Sequence, residues 1–178
     1  GINTFTGNVT IDKGVLDLTA SGSKFFNGGH NNSAVVTVNS GGTLRVNKLA
    51  YGESLGLLSD FAARRVLNGG TIELTGTSDD SSGQAFTVTT NGGTLNYNPA
   101  TNDKTLTLNH GNDNLKLGGQ LTVSTDASVV IGNAMDDSAG TGSLLKTGDG
   151  TLTLSNNSNS YTGTTTVNEG TLFISGNI

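Results

Sequence analysis

The feature that most constrains this chain is a short unit that returns along its whole length: a glycine followed by four residues of which the second and fourth are apolar. It reads Val15-Leu16-Asp17-Leu18 after Gly14, Thr43-Leu44-Arg45-Val46 after Gly42, and Thr71-Ile72-Glu73-Leu74 after Gly70. It continues as Thr94-Leu95-Asn96-Tyr97 after Gly93, Gln120-Leu121-Thr122-Val123 after Gly119, Thr151-Leu152-Thr153-Leu154 after Gly150 and Thr171-Leu172-Phe173-Ile174 after Gly170. The first and third positions are polar except at Val15 and Phe173. Side chains on a strand alternate between faces, so each copy is a strand with one buried and one wet face. The second and fourth positions are the expected core, from Leu16 and Leu18 through Leu172 and Ile174. The seven glycines are the expected corners, because glycine accepts backbone angles other residues resist.

A shorter strand precedes most of these glycines, as in Val9-Thr10-Ile11, Val36-Thr37-Val38, Phe86-Thr87-Val88 and Leu115-Lys116-Leu117. Asn and Gly fill the links between, as in Asn68-Gly69-Gly70, which suits sharp turns. From Leu16 to Leu172 the unit advances by 28, 28, 23, 26, 31 and 20 residues. Residues 5–18 and 161–174 align without a gap. Such a chain could fold as hairpins in an antiparallel sandwich, but a sandwich needs strands of differing character and varied turns. Repetition of one strand–corner–strand unit is better served by stacking each copy on the last, which builds a continuous core that no single unit could form alone. The expected fold is therefore all-β: a right-handed parallel β-helix of about seven rungs, the hand following the general preference of parallel crossovers. Rungs about 4.8 Å apart would give a body about 34 Å long.

Composition agrees. The chain holds 27 Thr, 27 Gly and 21 Asn among 178 residues, with 33% apolar and 13% charged residues. That is far below the usual apolar and charged shares of a globular domain. The one stretch of helical composition is Glu53 to Arg65, within the longest insertion at 47–65. A short helix is expected there, capped by Ser54 or Ser59, with Arg64 and Arg65 at its C-terminus. Residues 1–178 read as a single solenoid segment excised from a longer repeat-containing chain, since it opens directly on a strand pattern.

The stretch Leu144-Leu-Lys-Thr-Gly-Asp-Gly-Thr-Leu-Thr-Leu154, followed by Asn159-Ser-Tyr-Thr-Gly-Thr-Thr-Thr-Val-Asn-Glu-Gly-Thr-Leu172, carries a resemblance. It resembles the autotransporter-associated β-strand repeat, also called the passenger-associated transport repeat. The pattern is L-x-K-x-G-x-G-T-L-x-L, then N-x-Y-T-G-x-T-x-V-x-x-G-T-L. Its lysine is Lys146, its glycines are Gly148, Gly150, Gly163 and Gly170, and its aromatic is Tyr161. Asn3 to Leu18 match the later half only, and the middle of the chain keeps the rhythm without the signature. The resemblance implies a parallel β-helix in the passenger region of a bacterial cell-surface or extracellular protein, and brings no catalytic residues with it.

Catalytic and metal chemistry find little support. His30 and His110 each stand alone in Gly/Asn-rich stretches, without a second His or Cys at metal-ligand spacing. The pairs Asp79-Asp80 and Asp136-Asp137 could serve glycoside chemistry or weak Ca²⁺ binding, but neighbours on one loop rarely converge on one point. Phe25, Phe26 and Tyr51 are the aromatics left for stacking on sugars, because Tyr97 falls at a core position. No nucleophile motif, phosphate loop or cofactor pattern occurs. A net charge of −5 and a pI near 4.7 give no basic footprint for nucleic acid, and no stretch approaches the roughly 20 apolar residues of a membrane helix. Three functions remain, in order: a structural stalk or fibre segment stacking head-to-tail on adjacent copies along the solenoid axis, an adhesin module binding glycan or matrix ligands through its loop face, and a polysaccharide-degrading β-helix enzyme. The chain is expected to be no enzyme, with no metal or cofactor.

Overall fold

The computed structural model describes residues 7–20, 26–31, 34–49, 56–58, 62–109 and 113–178. The chain winds as a parallel β-helix, each turn laying down one strand on each of up to three faces. The first turn consists of β1 (Val9–Ile11), β2 (Gly14–Leu18) and β3 (Phe26–Asn31); the second of β4 (Val36–Asn39), β5 (Gly42–Val46) and β6 (Gly56–Leu58). The third holds β7 (Arg65–Asn68), β8 (Thr71–Leu74) and β9 (Asp80–Ser82), and the fourth β10 (Thr87–Val88), β11 (Gly93–Tyr97) and β12 (Thr105–Leu108). The fifth has β13 (Leu115–Leu117), β14 (Gln120–Thr125) and β15 (Ser128–Ile131), and the sixth β16 (Met135–Asp136), β17 (Ser143–Thr147) and β18 (Thr151–Leu154). A seventh turn contributes β19 (Thr165–Val167) and β20 (Thr171–Ile174).

Every pairing between these strands is parallel. The first face stacks β1-β4-β7-β10-β13-β16, the second β2-β5-β8-β11-β14-β17-β19, and the third β9-β12-β15-β18-β20, while β3 and β6 pair with each other. Alternation along each strand sends one column of side chains inward per position. On the second face the inner columns run Leu16, Leu44, Ile72, Leu95, Val123, Lys146, Val167 and Leu18, Val46, Leu74, Tyr97, Thr125. The first face adds Ile11, Val38, Leu67, Val88 and Leu117. The third adds Leu106, Val129, Leu152 and Leu172, with Asp80 heading that column. These columns meet in one core in which most apolar members are at most 2% exposed. Leu16 and Leu172, in the end turns, are half-buried, and Ile174 is 39% exposed because no described turn lies beyond it.

The registers place the seven glycine-led strands differently from a simple one-per-turn count. Five of them lie on the second face, but Thr151–Leu154 and Thr171–Ile174 lie on the third, where Leu152 pairs with Val129 and Leu172. The second face continues instead through β17 and β19. Leu95 pairs with Val123 rather than Leu121, which lies beside Gly93; a two-residue slip preserves the inward phase, so alternation alone does not expose it. The glycines also divide their labour. In the pair Gly41-Gly42 the left-handed residue is Gly41, at φ 86°, whereas a Cβ on Gly42 would sit 2.2 Å from the Ile11 carbonyl oxygen. One glycine turns the chain and the next lets two turns touch.

The helix expected over 53–65 falls partly outside the described residues. Where described, the segment is strand β6 and a 3₁₀ turn at Ala62–Arg64, and Arg65 opens β7 with 1% exposure instead of ending a helix. The pull of sheet pairing, Arg65 beside Val36, outweighs the local helical preference.

Candidate functional site

Hydrogen-bonded ladders run along the axis at the corners. At the corner between the first and second faces, Asn39 Nδ2 donates to Asp12 Oδ1 at 2.7 Å and Asn68 Nδ2 to Asn39 Oδ1 at 2.7 Å. Asn91 Nδ2 and the Thr89 hydroxyl then donate to Asn68 Oδ1 at 2.9 and 2.7 Å. The amides all donate toward the first turn and end on the Asp12 carboxylate. Stacked amides of this kind satisfy one another from layer to layer. Sequence reasoning saw these asparagines as turn residues and missed the ladder, which becomes visible only once the register is known.

Outside the second face, Thr43, Thr71, Thr94 and Thr122 form one column. Beside it Arg45 reaches Asp17 at 3.3 Å and Glu73 at 2.6 Å, tying three turns together. The Thr19 hydroxyl and amide, then Arg45, hold Asp17 below the ordinary carboxylate range. The pairs are partly exposed, and such pairs add little stability.

The acidic pairs diverge. Asp79 accepts from the Thr105 amide in the following turn, while Asp80, 6% exposed, accepts from the Leu49 amide in the preceding one at 2.8 Å. Asp136 accepts from Asn114 of the turn before at 2.7 Å. Asp137 accepts from the amide and hydroxyl of Thr162 in the turn after, at 2.9 and 2.6 Å, and these bonds hold it below the ordinary range. Each pair is thus a staple with one arm up and one down, and neither brings two carboxylates to one point. Among the described residues no group of three or more His, Cys, Asp or Glu is placed to hold a metal ion. Of the residues singled out for other chemistry, Phe25, Tyr51 and His110 and the side chains of Phe26 and His30 lie outside the described set. Tyr161 is half-buried, its hydroxyl 2.6 Å from the Thr165 hydroxyl. Tyr97 is 1% exposed, and burial pushes its phenol up to about 12.

The most unusual side chain is Lys146. It occupies an inner position of β17, stacked between Val123 and Val167, and is fully buried. Its ammonium donates to the carbonyl oxygens of Thr147 and Gly148, both at 2.6 Å, and to that of Thr125 at 3.4 Å. The aliphatic stem continues the apolar column while the head satisfies the Thr147–Gly148 corner, whose carbonyls turn inward. Burial draws the ammonium below the ordinary lysine range, against the opposing pull of Asp126, Glu169 and Asp149. Glu169 closes the same corner from the next turn by accepting from the Gly148 amide at 2.9 Å.

Fold and ladders define a β-solenoid whose ordered chemistry serves the joining of one turn to the next. Residues 1–18 and 144–173 match the passenger-associated-transport-repeat family. The chain is 32% identical over 168 residues, 92% of its length, to the adhesin BmaC autotransporter of Brucella suis biovar 1 (strain 1330), and spans 4% of that relative's length. No solved structure matches it. Both ends of the chain thus carry the passenger-associated transport repeat, and the two matches support an autotransporter passenger repeat segment located at the cell surface or in the extracellular space. No described helix is long and apolar enough to cross a membrane.

Proposed function

We propose that this segment is a length-giving stalk unit of a surface passenger, built to stack axially on adjacent units of the same kind. The observation that carries this reading is the run of core columns through successive turns, with the Asp12–Asn91 ladder at one corner and mainly polar residues outside. The acidic pairs, spent on stapling turns, support a non-catalytic role. Deleting residues 9–174 from the full-length surface protein should shorten its projection in electron micrographs by about 34 Å, seven rungs of about 4.8 Å, and leave ligand binding intact. Unchanged length, or loss of binding, would count against it.

A second reading is an adhesin module that binds glycan or matrix ligands through its loops, favoured by the naming of the Brucella relative as an adhesin. A glycan and matrix-protein array probed with the folded segment separates the two, since a stalk gives no saturable binding.

A further inference from the structure

Buried polar side chains gather in the third turn. Arg65, Asp80 and Ser82 hold inner positions there at 1, 6 and 2% exposure, and the equally buried Gln84 follows in the link to the fourth turn. Their inner neighbours across the register are apolar: Val36 beside Arg65, Leu106 beside Asp80 and Leu108 beside Ser82. Among the described residues Asp80 is the only acidic side chain that is buried. The turn thus carries one positive and one negative side chain in its interior, where a charge without its opposite is costly.

Among the described strands, β9 alone lacks an apolar residue. Burial of apolar side chains selects the register of the others but is indifferent to that of β9. Moved by one residue, β9 would turn in Asp79 and Ser81 or Ser81 and Gly83; moved by two, Ser78 and Asp80 or Ser82 and Gln84. None of these sets holds an apolar side chain. Pairing is also one-sided, because β9 ends the third-face sheet with β12 as its one partner among the described strands. Hydrogen bonding distinguishes the observed register. Asp80 Oδ2 accepts from the Leu49 amide of the second turn at 2.8 Å, and Ser82 Oγ from the Gln84 amide at 3.1 Å. Arg65 Nη1 donates to the Ala85 carbonyl oxygen at 3.3 Å, at the entry to the fourth turn. Leu49 is buried, so a slip in either direction draws Asp80 away and leaves that amide unmet in the core. It also shifts the negative charge of the interior relative to Arg65.

We propose that Asp80 and Arg65 are a register key: two opposite buried charges, in place of apolar side chains, fix where β9 lies on β12 and so where the third turn ends and the fourth begins. The key concerns how the turns are set on one another, and it holds whether the solenoid serves as a stalk or as an adhesin.

The chain has no cysteine, so introduced cysteine pairs report the register. Ser81 lies beside Thr107, about 4.8 Å away across the sheet and within reach of a disulfide. Thr105 and Asn109 are each about 8 Å from Ser81, beyond the limit of about 7 Å, and come beside it only when β9 slips by two residues. Ser81→Cys is combined with Thr107→Cys, Thr105→Cys or Asn109→Cys; each chain is refolded from urea and oxidised, and the links are measured by peptide mass spectrometry. With the key intact, the 81–107 link should form alone. In Arg65→Met/Asp80→Ser, which removes both charges, the slipped links should rise at least about tenfold relative to the 81–107 link. Arg65→Met/Asp80→Leu should return to the 81–107 link alone, because a leucine there joins the Leu106, Val129 and Leu152 column. The 81–107 link alone in a folded Arg65→Met/Asp80→Ser chain overturns the proposal. If that chain does not fold, Asp80→Asn, which keeps the volume and drops the charge, is read in the same way: slipped links uphold the key, and the 81–107 link alone overturns it.

Discussion

Asn68 offers the sharpest test of what holds one turn to the next. Its side chain donates one hydrogen bond to Asn39 and accepts two, from Thr89 and Asn91. At about 1 kcal/mol net per bond, Asn68→Ala has a ceiling near 3 kcal/mol. The site is half-buried, so water recovers part of the loss, and about 2 kcal/mol is expected. Asn39 makes two ladder bonds and Asn91 one, so their alanine variants should cost about 1.5 and about 0.5 kcal/mol on the same scale. Urea melts followed by circular dichroism read these differences as shifts in midpoint at constant slope. A double-mutant cycle on Asn39 and Asn68 should give a coupling of at least about 0.5 kcal/mol. The isosteric Asn68→Asp keeps the acceptor and loses the donor, setting carboxylate against the Asn39 carbonyl. That raises the folded-state pKa of the introduced carboxyl, so the variant recovers relative to wild type as pH falls toward about 4 and loses again as pH rises. Equal costs at all three asparagines, with no coupling, would show that the residues serve only their own turns and that the ladder carries no energy.

Ile72, 1% exposed in a central turn, should cost about 3 kcal/mol as alanine, against under about 1 kcal/mol for Ile174→Ala at the exposed end; similar urea midpoints for the two would contradict the core assignment. Gly150→Ala would force a Cβ within 2.0 Å of the Ala127 carbonyl oxygen and should lose about 2 kcal/mol or more, whereas Gly14→Ala pays only the left-handed backbone penalty of about 1–2 kcal/mol, both read from thermal melts. Because burial raises the Tyr97 phenol to about 12, its share of stability is whole below about pH 10 and drains away between there and 12; Tyr97→Phe should flatten that fall in urea melts across the range. Lys146 behaves oppositely: its folded-state pKa lies below the unfolded value, so its contribution grows as pH climbs through the folded value toward about 10.4, and Lys146→Met should remove that rise.

The strands and their inward faces were legible because a period of two survives any reading of register. Leu44, Ile72 and Leu95 follow from alternation alone. Which face a strand joins was not legible. Gly-Thr-Leu-Thr-Leu at 150–154 looks like Gly-Gly-Thr-Leu-Arg-Val at 41–46, since a tight corner with a half-buried strand serves any corner of the tube. Only the long-range pairing of Leu152 with Val129 distinguishes them. The ladder through Asn39 and Asn68 was hidden for a related reason: in a chain with 21 asparagines, nothing local marks the ones that stack. Lys146 stood out only through the family pattern. A lysine next to Leu144 and Leu145 reads as a wet position until the strand's phase is fixed by the corner that follows.

Apart from the Ala62 amide, which reaches past one turn to donate to Asp113 at 2.6 Å, the hydrogen bonds between the described turns join neighbours, and this sets how the molecule yields to tension. Pulling the chain from both ends loads the outermost turns first, with their bonds opened one after another like a zip, not all at once as in a sheared sheet. Turns should come away singly, each lengthening the tether by its residue count at roughly 3.4 Å per residue. The 28 residues from Leu44 to Ile72 would give about 95 Å and the 23 from Ile72 to Leu95 about 78 Å. The irregular spacing of the repeat would then be written directly into a force–extension trace, as a ruler with unequal divisions.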